Sequence, residues 1–141
     1  MVTKAREAMG WLRSVASLAS KEGLPITWAT PDGFKVQQAY YKQAQRQILT
    51  HLDGKIYRPS LLHQTNTMDK RRMANGVAPN FVHSLDGCAL RKYVLLAKDN
   101  GVKHFGLVHD SFATVAADVE MMTVCIRESF VELYEDNDVF T

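Results

Sequence analysis

The stretch Phe105-Gly106-Leu107-Val108-His109-Asp110-Ser111-Phe112-Ala113 is apolar except at its middle. It predicts a hairpin of two short strands, residues 105–108 and 112–115, separated by three residues. Alternation of side chains along a strand puts Val108, Asp110 and Phe112 on one face and Leu107, His109 and Ser111 on the other. The polar centre of this hairpin is therefore the first candidate site.

Two interpretations of the hairpin tip are open. The Asp110 carboxylate could bind a hard cation such as Mg²⁺, which takes oxygen ligands, often one or two carboxylates together with substrate phosphates. Alternatively, His109-Asp110-Ser111 could form a plain solvent-exposed turn, since Asp and Ser are common turn residues. The spacing does not favour the metal site over the turn.

Helices are predicted on both sides of this hairpin. Residues 68–75 read as a short polar helix closed by Gly76, and a longer helix is expected to have Pro79 in its first turn. A last helix follows Asp118. The expected buried faces of the two longer helices are Val82, Leu85, Ala89, Tyr93 and Leu96, and then Val119, Met122, Ile126, Phe130 and Leu133.

The first half of the chain predicts one helix and two hairpins. Residues 4–21 have the apolar spacing of a helix, with Met9, Leu12, Ala16 and Ala19 on one face. Pro31-Asp32-Gly33 and Asp53-Gly54 are turn signals between β-prone stretches. The fold class is therefore α+β. We expect a single domain over residues 1–141, with helix and hairpins in 1–67 and helix, hairpin, helix in 68–141.

Composition indicates an ordinary globular chain. Of 141 residues, 46% are hydrophobic and 23% charged, and Cys88 and Cys125 are the two cysteines, which gives no reason to expect disulfides. No apolar run reaches the roughly 20 residues of a membrane helix, and Met1–Glu7 lacks the apolar core of a signal peptide. We expect an intracellular, cytoplasmic protein and no membrane partner.

Charge is distributed unevenly along the chain. Residues 1–72 contain 12 Lys and Arg against 5 Asp and Glu, whereas residues 73–141 contain 5 against 10. A basic and an acidic half suit a protein that holds a polyanion and a cation. Charge alone nevertheless favours a solvated surface that is merely uneven, since nucleic-acid domains usually show a stronger bias. Within the basic half, Lys70-Arg71-Arg72 could contact a phosphate backbone, or it could be a solvated helix face.

Several motifs are more specific than these patterns. Gly76-Val77-Ala78-Pro79-Asn80-Phe81-Val82-His83-Ser84 and Val108-His109-Asp110-Ser111-Phe112 closely resemble the single-subunit, T7-like RNA polymerases of bacteriophages and mitochondria. Leu90-Arg91-Lys92 and Thr30-Pro31-Asp32-Gly33-Phe34 fit the same family. Family A DNA polymerases also carry a His-Asp pair there, but it usually continues with Glu, so Ser111 favours the RNA polymerases.

The resemblance implies a partial polymerase palm. Asp110 takes the position of an aspartate that binds catalytic Mg²⁺, and His109 and Ser111 flank it and shape the turn. His83 matches a histidine near the growing end that helps to select nucleotides, and Asn80 belongs to the same helical turn. With Arg72 as a backbone contact, Asn80 and His83 form the expected nucleic-acid and nucleotide site.

The implied reaction is phosphoryl transfer with two metal ions, about 3.5–4 Å apart, at the attacking and leaving oxygens. One acid cannot offset two divalent cations, and the family's second aspartate belongs to a motif upstream of this chain. We therefore expect part of a DNA-directed RNA polymerase that is inactive alone and binds Mg²⁺ weakly.

Its expected partners are a DNA template, the RNA product and the remaining polymerase segments, with self-association through exposed apolar surface. The alternatives are a non-catalytic prophage remnant that binds nucleic acid or a protein, and a palm fragment of a family A DNA polymerase.

Overall fold

The computed structural model of the chain describes residues 2–135, so Met1 and residues 136–141 lie outside the described part. Within these residues the chain forms three α-helices and eight strands, and the strands pair into four two-stranded sheets. The predicted α+β class is confirmed, as is the order of helix, hairpin and helix in the second half.

The elements follow one another in a simple order along the chain. They are α1 (Val2–Lys21), β1 (Ile26–Ala29), β2 (Lys35–Gln38), β3 (Tyr41–Gln47), β4 (Thr50–Leu52), β5 (Lys55–Tyr57), β6 (Ser60–Met68), α2 (Lys70–Asp99), β7 (Gly106–Val108), β8 (Ser111–Ala113) and α3 (Val119–Glu135), the last preceded by the 3₁₀ turn Ala116–Asp118.

These elements divide into two compact units. The first consists of the chain up to Ile26 together with Gln37–Ala78, and the second of Thr27–Val36 together with the chain from Pro79 onward. The last boundary falls inside α2, between Ala78 and Pro79. The hairpin with Asp110 and the helical turn with His83 belong to the second unit.

A long antiparallel hairpin dominates the first unit. Strands β3 and β6 pair from Tyr41 opposite Met68 to Gln47 opposite Ser60, with an irregularity between Tyr41 and Gln43. At its far end β4 and β5 pair around Asp53 and Gly54, which both have positive φ, 49° and 70°. This is the backbone of a type I′ turn, which Asp-Gly favours. The sequence predicted the turn but not β6.

The first unit is anchored by the start of α2. Met73 is fully buried, and its carbonyl oxygen accepts a hydrogen bond from Nε2 of the buried Gln38 at 2.8 Å. The backbone N–H of Asp69 donates to the Tyr40 carbonyl at 2.8 Å, and the Asp69 Oδ1 accepts from the N–H of Arg72 at 3.0 Å. Asp69 is thus the N-cap of α2, a role for which Asp is among the preferred residues.

The prediction of two helices between residues 68 and 99 is wrong. The helix α2 runs without interruption over 30 residues and contains both Gly76 and Pro79. Proline lacks the N–H that would donate to the carbonyl of Asn75 four residues earlier. Gly76 and Pro79 therefore weaken the helix locally but do not end it, because the surrounding contacts of α2 override local propensity.

The predicted buried faces of the helices are correct in part. On α2, Leu85, Ala89 and Tyr93 are buried, whereas Val82 is 54% exposed. On α3 the buried positions are Cys125, Ser129 and Leu133, while Val119 and Phe130 are exposed. On α1, Ala16 is buried and Met9 is exposed. Apolar spacing alone therefore overestimates burial at several of these positions.

The core of the second unit is centred on Tyr93. This side chain is fully buried in a cluster with Ala97, Val102 and Cys125. Its ring meets Phe112 edge-on at 4.9 Å between centroids and Phe105 at 6.2 Å. Such edge-to-face pairs contribute about 0.5–1.5 kcal/mol beyond the area they bury. Helix α2 therefore contacts both arms of the hairpin through one aromatic ring, at Phe105 just before β7 and at Phe112 in β8.

The Tyr93 hydroxyl is an exception to the usual pairing of buried polar groups. None of the described residues forms a hydrogen bond with it, and burial raises the pKa of the phenol, so it stays protonated at neutral pH. An unpaired buried polar group costs about 1–3 kcal/mol.

Tyr93→Phe removes this hydroxyl and keeps the ring contacts. We expect the free energy of unfolding to stay the same or to rise by about 1 kcal/mol, whereas Tyr93→Ala should lower it by about 3–5 kcal/mol. Urea denaturation followed by circular dichroism measures both. A Tyr93→Phe variant that is less stable by more than about 1 kcal/mol would show that the hydroxyl has a partner.

Candidate active site

The tip of the β7–β8 hairpin is a two-residue turn. Gly106 lies opposite Ala113, Leu107 opposite Phe112, and Val108 opposite Ser111, which leaves His109 and Asp110 in the loop. The predicted three-residue loop is wrong, and so is the predicted division of faces. Leu107 and Phe112 share the half-buried face and pack against the Tyr93 cluster, while Val108 and Ser111 are exposed. A shift of one residue in a hairpin reverses every face assignment.

The Asp110 side chain is exposed at this tip. None of the described residues forms a hydrogen bond or an ion pair with its carboxylate. Both oxygens are therefore available to an external cation. The described residues contain no group of three or more His, Cys, Asp or Glu side chains that could hold a metal ion. Within residues 2–135, Asp110 is thus a single exposed carboxylate and not part of a cluster of possible metal ligands.

His109 supplies the bend of the turn through its backbone. Its φ is 54°, in the left-handed region. For a residue with a Cβ this region costs roughly 1–2 kcal/mol. Asp110, the second loop residue, is not among the residues of positive φ. This pattern, positive φ at the first loop position alone, is one that glycine usually supplies in two-residue hairpins.

Asn80 and His83 lie on the same side of α2, since residues three apart in a helix are neighbours. His83 is exposed and Asn80 is half-buried. On this helical turn, Phe81 and Ser84 contact Trp28 of β1. The Trp28 indole N–H donates to the Ser84 Oγ at 2.9 Å, and the Trp28 and Phe81 rings lie 6.1 Å apart. The structure shows no hydrogen bond between His83 and any other described residue.

A second attachment joins the β1–β2 turn to α2, and the sequence did not reveal it. The Asp32 carboxylate accepts hydrogen bonds from the Arg91 guanidinium at both oxygens, with the Arg91 Nη2 at 3.0 Å from Oδ1. Thr30 Oγ1 also donates to Asp32, and the guanidinium lies 4.5 Å from the centre of the Phe34 ring. A paired carboxylate and guanidinium in this geometry hold each other in place.

This environment shifts the titration of Asp32. Hydrogen bonding from Arg91 is the largest effect and, with a smaller contribution from Thr30, it outweighs partial burial and holds the pKa of Asp32 well below its ordinary 3.8. Burial, and then the neighbouring Asp32, raise the pKa of the Cys88 thiol. Cys88 and Cys125 are both buried and free.

Arg72 belongs to the first unit. Its guanidinium lies 4.9 Å from the centre of the Tyr40 ring, at the N-terminal turn of α2. A shallow cavity of about 500 Å³ is lined there by Tyr40, Asp69, Arg71, Arg72, Asn75 and Gly76. Two arginines beside a helix N-terminus attract anions, because the N-terminal end of the helix dipole and both guanidinium groups are positive.

Comparison with known proteins decides the family. A family model described as DNA-dependent RNA polymerase matches residues 1–141. The chain belongs to this family. It is 37% identical over 153 residues to T7 RNA polymerase of Escherichia phage T7, covering 98% of the chain. It is 38% identical over 135 residues to a mitochondrial DNA-directed RNA polymerase of Nicotiana sylvestris, covering 96% of the chain.

The match covers a small part of each relative. The chain spans about 17% of the length of the T7 and T3 phage polymerases and 13% of the Nicotiana enzyme. These comparisons confirm the resemblance to phage-type RNA polymerases, and they do not favour the alternatives of a family A DNA polymerase or a non-catalytic module. No helix within residues 2–135 is long and apolar enough to cross a membrane.

The Asp32–Arg91 pair predicts a specific pH dependence. The folded-state pKa of Asp32 lies below its ordinary 3.8, so the pair contributes fully above that value and its contribution is lost as the pH falls below it. Asp32→Asn removes this pH-dependent contribution to the free energy of unfolding. We expect the unsubstituted chain to lose more stability than the variant between about pH 5 and pH 2. Urea denaturation across this range tests it, and equal losses would contradict it.

The left-handed backbone conformation of His109 predicts an unusual order of stability among substitutions at this position. In His109→Gly, relief of about 1–2 kcal/mol of strain is offset by about 0.4–1 kcal/mol of added unfolded-state freedom. We expect stability equal to the original or slightly higher. His109→Val should lower the free energy of unfolding by at least about 1 kcal/mol, since a β-branched side chain is least compatible with positive φ. The opposite order of the two urea midpoints would show that the imidazole, not the backbone, matters here.

Proposed function

We propose that this chain forms part of the palm of a DNA-directed RNA polymerase and that Asp110 is a ligand of the Mg²⁺ used in nucleotide joining. One observation carries the proposal: a polymerase-family chain presents, at the tip of a hairpin packed on its core, a carboxylate exposed and without a partner among the described residues. Asp53 is also an exposed acid in a two-residue turn, so the assignment of Asp110 rests on exposure together with its place in a polymerase-family chain.

The metal supplies charge neutralisation for the attacking oxygen and the leaving pyrophosphate. The contribution of this chain is to hold one carboxylate in a fixed place. Strands β7 and β8 fix the turn, Leu107 and Phe112 fix the strands on the Tyr93 core, and His109 supplies the bend. His109 and Ser111 act on the shape of the turn, while Asp110 touches the ion.

A second metal-binding carboxylate would come from polypeptide outside these 141 residues. The 141-residue chain alone is therefore inactive and binds Mg²⁺ weakly, because Mg²⁺ dehydrates reluctantly and finds few protein ligands here. Its partners in the complete enzyme are a DNA template, the RNA product and the remaining polymerase segments.

Two further positions contact nucleic acid under this proposal. His83, exposed on α2 with Asn80 on the same side of the helix, faces the growing end and contributes to nucleotide selection. Arg72, held against Tyr40 at the N-terminus of α2, contacts a backbone phosphate. Such a contact adds affinity that depends on salt and not on base sequence.

The proposal is tested in a polymerase in which this chain replaces the matching segment of the T7 enzyme. RNA synthesis is measured on a primed template, so that promoter recognition does not enter. We expect Asp110→Asn to lower the rate of nucleotide addition by at least about 1,000-fold, since metal-ion stabilisation contributes several kcal/mol. The substitution lies on an exposed turn and should leave the circular dichroism spectrum unchanged.

Asp53→Asn is the matched control. Asp53 is also an exposed acid in a two-residue turn between short strands, and its substitution is chemically identical. It should leave the rate of primed synthesis within about two-fold of that of the unsubstituted polymerase, which is a change in activation free energy of well under about 1 kcal/mol. Near-normal elongation by the Asp110→Asn enzyme, or equal losses in both variants, would refute the assignment of Asp110.

A further inference from the structure

We propose that Trp28 is a positioning residue for nucleotide selection: through Ser84 and Phe81 it fixes the turn of α2 that carries Asn80 and His83. The inference rests on the proposed function of His83. It assigns a role to a β-strand residue that lies more than 50 positions earlier in the chain.

Two contacts link Trp28 to this turn. Its indole N–H donates to the Ser84 Oγ at 2.9 Å, and the Ser84 hydroxyl in turn donates to the Phe81 carbonyl at 2.6 Å. The Trp28 ring also lies 6.1 Å from the Phe81 ring, tilted by 49°. Phe81 and Ser84 are three residues apart, so they form one face of the helix. Trp28 therefore holds this turn by a polar and an apolar contact at once.

This turn needs external support because of its position in the helix. It follows Pro79 directly, and Pro79 cannot donate to the carbonyl of Asn75. A serine hydroxyl bonded back to a carbonyl in the preceding turn also tends to bend helices. The lost bond at Pro79 and the back-bonded hydroxyl thus both lie next to this turn, whose orientation decides where the exposed His83 imidazole points.

The second attachment of the same hairpin provides an internal comparison. Asp32 holds Arg91, seven residues or about 10 Å further along α2. It binds the hairpin to the helix at Arg91, one to two helical turns away from Ser84. Loss of the Asp32 pair should therefore cost stability without disturbing the His83 turn, whereas loss of the Trp28 bond should disturb the turn itself.

The first arm of the test uses the 141-residue chain and amide hydrogen exchange measured by NMR. In Trp28→Phe, which keeps a ring but removes the donor, the amides of Ser84 and Leu85 should exchange about three- to ten-fold faster relative to those of Tyr93 and Ala97, as expected for one lost hydrogen bond. Asp32→Asn should leave this ratio unchanged. An unchanged ratio in Trp28→Phe would overturn the proposal.

The second arm measures nucleotide selection in the polymerase that contains this chain, as the ratio of mismatched to matched incorporation on a primed template. Trp28→Phe and Ser84→Ala should shift this ratio in the same direction as His83→Ala. Ser84→Thr keeps the accepting hydroxyl and should leave the incorporation ratio at its unsubstituted value. Asp32→Asn should also leave this ratio unchanged.

The outcomes separate the inference from the function beneath it. If His83→Ala alters selection but Trp28→Phe and Ser84→Ala do not, Trp28 is not a positioning residue and the role of His83 stands. If His83→Ala leaves selection unchanged, the proposed role of His83 fails and the role of Trp28 in selection fails with it.

Discussion

The pairing of Leu107 with Phe112 across the β7–β8 hairpin is the constraint on which the candidate site depends. These two side chains face the Tyr93 cluster, so the register between the strands is set by the core. With that register, two residues remain for the turn, and His109 adopts a left-handed backbone to close it. The acid at the second loop position is thereby directed away from the core and into solvent.

The second unit has a further constraint, which lies between the β1–β2 hairpin and α2. The hairpin contacts the helix through Trp28 at Ser84 and through Asp32 at Arg91. The Asp32–Arg91 ion pair and the hydrogen bond from Trp28 to the Ser84 hydroxyl join residues that are distant in sequence. Both attachments lie on α2 after Pro79, so the hairpin holds the helix on the side of the proline that carries His83. Under the proposed function side chains of this kind must be held in place, because phosphoryl transfer depends mainly on positioning and charge.

Part of this arrangement is visible in the sequence alone. Turn signals at Asp53-Gly54 and the apolar spacing around Leu85 and Tyr93 are local, and both predictions are confirmed. The continuity of α2 was not predictable from local propensity, since Gly76 and Pro79 normally mark a helix boundary. The face on which each hairpin residue lies depends on the loop length. A difference of one residue in the loop reverses the faces of one strand relative to the other.

The candidate residues show the same limit. Asp110 was identified because its neighbours match a specific family motif, and its position at an exposed tip agrees with that assignment. The Asp32–Arg91 pair and the bond from Trp28 to Ser84 were not predicted. Each joins residues more than 50 positions apart, and spacing within a single sequence carries no signal for such a contact.

The most direct test of the central claim is whether the exposed Asp110 carboxylate binds a divalent cation. Mn²⁺, a paramagnetic substitute for Mg²⁺, is added to the ¹⁵N-labelled 141-residue chain, and the broadening of each backbone amide signal is recorded by NMR. The account predicts weak but saturable broadening at His109, Asp110 and Ser111, because the chain supplies one carboxylate there, and Asp110→Asn should abolish it. Broadening at the hairpin that persists in Asp110→Asn, or that occurs only at other carboxylates, would contradict the account.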